Sequence, residues 1–214
     1  MFFSLRFPSI LLLVIALAVQ GCATDGGSDT EADQDVDATA ESEVSSDGTN
    51  ANHPDDETTV RAVARIEGLG GSGVSGNVTF AHRGGGLQVT YMLEGLEPGA
   101  HGFHVHENGS CADGEDGTPG GAAGGHFNPD SSLHGANNQN PPGRHVGDFG
   151  NITAGESGSA FGSFSEHIAT LDGPNGIIGK AIVIHGGEDD FSTQPSGDAG
   201  VRVGCGIIED APES

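Results

Sequence analysis

Residues 101–148 read HGFHVHENGSCADGEDGTPGGAAGGHFNPDSSLHGANNQNPPGRHVGD, and this stretch decides how the rest of the chain is read. It carries six of the ten histidines and one of the three cysteines, in a Gly/Pro/Asn-rich run with little regular periodicity. A loop that long inside a compact domain is uncommon unless something pins it. Imidazoles at its start, middle and end make a metal the expected pin.

Alternate residues of a strand share a face, so His104 and His106 present two imidazoles together and turn Val105 the other way. His126, His134 and His145 follow, with Asp148 three residues on. Three imidazoles and a carboxylate form a closed four-coordinate set suited to zinc. His185 ends the apolar run IVIH just where a second Gly-rich loop begins. Each histidine alone reads as a polar loop or strand-end residue. Together they all fall at strand ends or in the one long loop, which favours a shared site.

Working outward, VRAVARIE (60–67) alternates apolar and polar as a half-buried strand does. VSGNVTFAH (74–82) and GLQVTYMLEGL (86–96) follow, joined by a Gly-rich hairpin loop. GFHVHE (102–107) precedes the long loop, and VGDFGNITA (146–154), SAFGSFSEHIAT (159–170), GKAIVIHG (179–186) and VRVGCGII (201–208) come after it. Eight short strands, no convincing helix and Gly-rich turns predict an all-β antiparallel sandwich or barrel. Two long loops, one between the fourth and fifth strands and one over 186–200, remain for function.

The 214 residues carry 31 acids against seven Lys plus Arg, a net charge of −24. Nucleic acid is excluded as a partner on that balance, since phosphate binding needs basic patches. The N-terminus MFFSLRFPSILLLVIALAVQGC has the form of an export signal, with an apolar run from Ile10 to Val19. That run falls short of the roughly 20 residues that span a bilayer. Val19-Gln20-Gly21-Cys22 resembles a bacterial lipobox, which implies cleavage after residue 21 and lipid on Cys22. An ordinary signal peptide with an incidental cysteine is the alternative. With Cys22 acylated, Cys111 and Cys205 remain as an even pair in an oxidising compartment. Residues 22–59 are acidic, without Lys or Arg and almost without apolar side chains, and read as a disordered tether. The folded domain is expected over 60–210, after a signal peptide of 1–21.

GFHVHENGSC, GGHFNP, LHG, RHVGDFGNITA, IVIHGGEDDF and GDAGVRVGCGII together resemble the copper/zinc superoxide dismutase family. The resemblance covers about 61–208, with several separate motifs in the family's order. It implies an eight-stranded Greek-key β-barrel, the architecture under which this enzyme is grouped with the sandwiches. It implies copper ligands at His104, His106, His126 and His185, and zinc ligands at His126, His134, His145 and Asp148. His126 would bridge the two metals. Cys111 and Cys205 would form the intrasubunit disulfide. Arg202 matches the arginine that guides the anion, and Asp189 the carboxylate linking a copper histidine to a zinc histidine. His101 matches a structural histidine of the barrel end. His53, His82 and His167 match nothing.

The function so implied is dismutation of superoxide to O2 and H2O2, performed outside the cytoplasm by a protein tied to a membrane through Cys22. It faces the periplasm or the cell exterior. A copper- and zinc-binding protein that buffers or carries metal without turnover is the rival reading. It has no need of an anion-guiding arginine or a shared imidazole. A structural domain with relic ligands is a third reading. The sequence leaves monomer and homodimer equally open.

Overall fold

The computed structural model describes residues 60–212. The signal peptide, Cys22, the acidic tether and His53 lie outside the described residues. Eight strands follow one another: β1 (Val60–Gly68), β2 (Ser75–Arg83), β3 (Gly86–Glu94), β4 (Gly99–His106), β5 (Asp148–Ala154), β6 (Ala160–Glu166), β7 (Ala181–His185) and β8 (Arg202–Asp210). All pair antiparallel in one sheet of order β5-β4-β7-β8-β1-β2-β3-β6. The two outermost strands, β5 and β6, are consecutive in the chain. A tight turn joins them, in which Gly155 N–H donates to Ser159 O at 3.0 Å. The sheet therefore curls until its ends meet, and the connections β3–β4 and β6–β7 cross the barrel ends as in a Greek key.

The alternation read from the sequence is the alternation of the barrel wall. Ala62, Ala64 and Ile66 of β1 point inward and are buried, while Arg61, Arg65 and Glu67 face out. Phe80, Leu87, Val89, Phe103, Phe149, Ile152, Ile182, Ile184 and Ile208 fill the interior. Phe103, Phe149 and Phe164 pack with ring centroids 5.8–6.3 Å apart, edge to face or tilted, as aromatic quadrupoles prefer.

Boundaries differ from expectation where side chains or backbone intervene. β6 stops at Glu166 rather than near residue 170, because the Glu166 carboxylate accepts the N–H groups of Ile168 (2.6 Å) and Ala169 (3.1 Å) and bends the chain. His167, expected as a strand residue, is therefore an exposed bend residue. β7 begins at Ala181 because Gly179 adopts φ 79°, a left-handed conformation that interrupts a strand. No helix was expected, yet a 3₁₀ turn over Gly121–Ala123 lies in the long loop.

Candidate metal centre

β4 is buried on both faces, which an antiparallel barrel strand usually is not. Phe103 and Val105 belong to the interior, while His104 and His106 point outward and are still buried, at 0% and 1% exposure. The two long loops cover that outer wall. Beneath them a second apolar cluster of Ala123, Ala181, Val183 and Cys205, with Leu69 and Cys111 against it, seats the first loop. The Cys111–Cys205 disulfide fixes it there, across 94 positions of sequence. Bulges interrupt the ladders between Gly102 and His104 and between Ile184 and His185. Bulges re-aim side chains beside functional sites, and here both adjoin histidines of the cluster.

His104, His106, His126 and His185 offer ligand atoms that lie within 4.8 Å of one another. Hydrogen bonds fix which nitrogen each one offers. His104 Nε2–H donates to Asp189 Oδ2 at 2.8 Å, which leaves Nδ1 bare, buried and without a partner. His106 Nδ1–H donates to Gly124 O at 2.9 Å and His185 Nδ1–H to Gly200 O at 3.2 Å. Their Nε2 atoms are left 3.4 Å apart. His126 Nε2 is likewise buried and unpartnered. Lone pairs orphaned in a dry interior cost free energy unless a cation takes them. Four imidazoles suit copper in both of its common oxidation states.

His126, His134, His145 and Asp148 form the second group, again within 4.8 Å. Asp148 Oδ1 lies 2.8 Å from His126 Nδ1 and 3.1 Å from His145 Nδ1. It is also 3.1 Å from His134 Nδ1, but out of hydrogen-bonding alignment, so that nitrogen too is orphaned. Asp148 Oδ2 is occupied by the N–H groups of His145 (2.8 Å) and Gly135 (3.0 Å). One carboxylate oxygen thus orients the residue while the other joins three imidazoles, the donor set of a closed zinc site.

Asp189, fully buried, ties the groups together: Oδ2 accepts from His104 and Oδ1 from His134 Nε2 at 2.9 Å. Asn151 holds its backbone with a reciprocal pair, accepting from Asp189 N and donating to Asp189 O, both at 2.8 Å. Burial, reinforced by neighbouring imidazoles, pushes His126 down to about 4 and His185 to about 3, and holds His106 well below its ordinary range. These rings are kept neutral and ready to ligate. Burial also works against protonated His134, but the adjacent Asp148 and Asp189 carboxylates, the latter through a hydrogen bond, outweigh that and raise it to about 9. Burial opposes ionisation of Asp148 and Asp189, yet their histidine partners hold both below the usual carboxylate range.

Arg202 pairs with His185 across β7 and β8 and donates to the carbonyls of Gly120 and Gly124. Partial burial lowers its pKa. His101 is buried with Nδ1 2.8 Å from His185 O and Nε2 2.7 Å from Glu97 O, a brace at the barrel end outside both metal groups. His82 is exposed on β2. Several supporting residues escaped the sequence reading. Arg144, 1% exposed, donates to the carbonyls of Gln139, His145 and Asp148 and to Glu166 Oε1 at 2.7 Å. Lys180 stands 3.9 Å over the Phe127 ring. Gln194 grips the main chain of His134. Arg144 could have been suspected as a cation inside a metal motif; a lone Gln in a polar loop gives no such signal.

Residues 74–208 match the family model for copper/zinc superoxide dismutase (SODC). The superoxide dismutase (Cu-Zn) of Deinococcus radiodurans is 40% identical over 142 residues, which is 64% of this chain and 78% of that protein. The crystal structure of the clock protein EA4 superposes with a TM-score of 0.62 at 37% identity, covering 72% of this chain and 97% of that one. With two histidine-rich groups that share one imidazole, on the outer wall of an eight-stranded Greek-key barrel, the chain belongs to the copper/zinc superoxide dismutase family.

Proposed function

We propose that the chain is an exported, lipid-anchored enzyme that dismutes superoxide. His104, His106, His126 and His185 would hold copper, and His126, His134, His145 and Asp148 would hold zinc. The observation that carries this reading is His126, whose Nδ1 turns to Asp148 while its Nε2 is buried and unpartnered on the side of the other three histidines. A store or carrier of metal has no use for an imidazole shared between two sites.

Copper, when bound, supplies the electron exchange that turns one superoxide into O2 and a second, with two protons, into H2O2. His126 is placed to hold and release a proton at Nε2. Asp148 Oδ1 engages its Nδ1 at 2.8 Å, so proton movement is confined to the other nitrogen. Arg202 contributes a permanent positive charge beside His106 and His185, where an anion approaches. Asp189 holds His104 and His134 in one orientation each.

Export and anchoring rest on the sequence of residues 1–59. The signal occupies 1–21, lipid sits on Cys22, the tether runs over 22–59 and the domain over 60–210. A buried acyl chain contributes about 0.8 kcal/mol per CH₂, so two or more chains on one residue anchor firmly. In its native host, the Cys22→Ala variant should leave the detergent phase for the aqueous phase. Continued membrane partition would refute the anchor.

The activity is tested on the full chain purified in detergent without added metal, and again after loading. About one copper and one zinc per chain, with rapid superoxide consumption that disappears on copper removal, is the expected result. Metal uptake without turnover would transfer the assignment to a buffering or carrier protein.

A further inference from the structure

We propose that Gln194 is a positioning residue for the zinc half of the centre, and that through it the loop 186–200 sets how firmly zinc is retained. The inference rests on the assignment of His134 to the zinc group. Gln194 lies 60 positions from His134, in the other long loop. Its Oε1 accepts from His134 N at 2.9 Å, and its Nε2 donates to His134 O at 2.9 Å. One carboxamide therefore satisfies both main-chain groups of a ligand residue, as a neighbouring strand would. No other orientation of the amide pairs a donor with an acceptor at both ends.

His134 sits in a long irregular loop, where its main chain has no sheet ladder to hold it. A ligand on such a backbone is fixed only as well as its supporting contacts fix it. The loop 186–200 grips it at three points: at N and O through Gln194, and at Nε2 through Asp189. Gly197 packs against the last of these. A Cβ there would fall 1.9 Å from Asp189 Oδ1 and 2.6 Å from His134 Nε2, and φ is +70°. Only glycine fits.

The loop arrives already shaped. Asp190 accepts from the N–H groups of Ser192 and Thr193, both at 2.8 Å, and from Thr193 Oγ1 at 2.6 Å. Gly197 N–H closes onto Thr193 O at 2.7 Å, and Asp190 N–H onto Gly197 O at 2.9 Å. Gln194 stands at the tip of this closed turn, so its side chain is presented rather than recruited. The residue is exposed, and its removal empties no core space. The role is one of positioning: Gln194 touches neither metal ligand atoms nor substrate.

The test compares Gln194→Ala and Gln194→Glu with the unaltered full chain, all copper-loaded. Zinc affinity is read by chelator competition, and the geometry of the zinc set by the visible spectrum of cobalt bound in its place. Glu keeps the shape and can still accept from His134 N, but sets a negative charge against His134 O. Both variants should lose about 10–100-fold in zinc affinity, the range for residues that orient metal ligands, and should shift the cobalt bands. Their copper affinity should change far less. Unaltered zinc affinity and cobalt spectra in both variants would overturn the proposal and leave the zinc assignment standing. An unaltered chain that takes up no zinc would overturn both.

Discussion

Arg202 and His106 share one acceptor: Gly124 O takes a hydrogen bond from the guanidinium at 2.6 Å and from the imidazole Nδ1 at 2.9 Å. The guanidinium charge and an imidazole of the histidine cluster are thereby registered on the same peptide group. Arg202→Ala should cut kcat/KM for superoxide by about 10-fold or more, within the range that local fields contribute to encounter rates. Copper and zinc content should stay unchanged. Arg202→Lys should recover part of the loss, because the charge returns without the fork that spans two carbonyls. Superoxide decay followed beside elemental analysis checks both variants. Full activity in the alanine variant would remove Arg202 from the reaction.

The dependence on salt should be flat or rising. The chain carries a net charge of −24 and its substrate is an anion. Distant carboxylates repel, while Arg202 attracts at short range. Screening over about 10 Å at 0.1 M salt weakens the repulsion first. Superoxide consumption measured from low to moderate ionic strength tests this, and a steep fall would mean that attractive steering dominates.

The buried pair Arg144–Glu166 should matter for stability rather than chemistry. Both side chains are 2% exposed and meet at 2.7 Å. Glu166→Ala leaves a dry guanidinium without its counter-charge and also frees the N–H groups of Ile168 and Ala169. A loss of about 3–5 kcal/mol in denaturant unfolding is expected at equal metal loading. A change below 1 kcal/mol would mean that water reaches the site.

Acid should unfold the metal-stripped protein more readily than the loaded one. His126, His185 and His106 have folded-state values below 6.5, so unfolding takes up protons as pH falls through 6.5 toward 4. Each contributes stability that is present above about 6.5 and is lost on acidification, on the order of 1.4 kcal/mol per pH unit across that window. His134 has the opposite sign. Its contribution is full below about 6.5 and is lost as pH rises through about 9. Denaturation midpoints of stripped protein between pH 4 and 9 should therefore peak near neutrality and fall more steeply on the acid side. A flat acid limb would contradict the buried neutral rings.

The strand pattern was legible because inward and outward residues alternate along β1, β2 and β3, and the ligand motifs because strand geometry couples His104 to His106. The resemblance supplied the pairing of Cys111 with Cys205 and the role of Asp189, which no local pattern conveys. What stayed hidden depends on contacts between distant segments. Gln194 reaches His134 across 60 positions, and Arg144 gathers carbonyls that only the folded loop brings together. The early end of β6 was hidden for a related reason: Glu166 spends its carboxylate on backbone N–H groups instead of facing solvent.

The first loop departs from the barrel at Cys111 and returns at the turn Gly121–Ala123, and between these points it closes on itself. Ala122 N–H meets Ala112 O at 3.1 Å, and Gly114 N–H meets Thr118 O at 2.8 Å. The centre draws on the carbonyls of Gly120 and Gly124, both outside the inner closure of Gly114 on Thr118. Residues 115–117 are thus a detachable excursion, closed off by the Gly114–Thr118 hydrogen bond, with the disulfide at Cys111 tying the chain ahead of it. Lengthening such a loop adds closure entropy only logarithmically. This architecture gives the molecule a port where sequence can be inserted, shortened or exchanged beside Arg202 while the histidine clusters keep their registration.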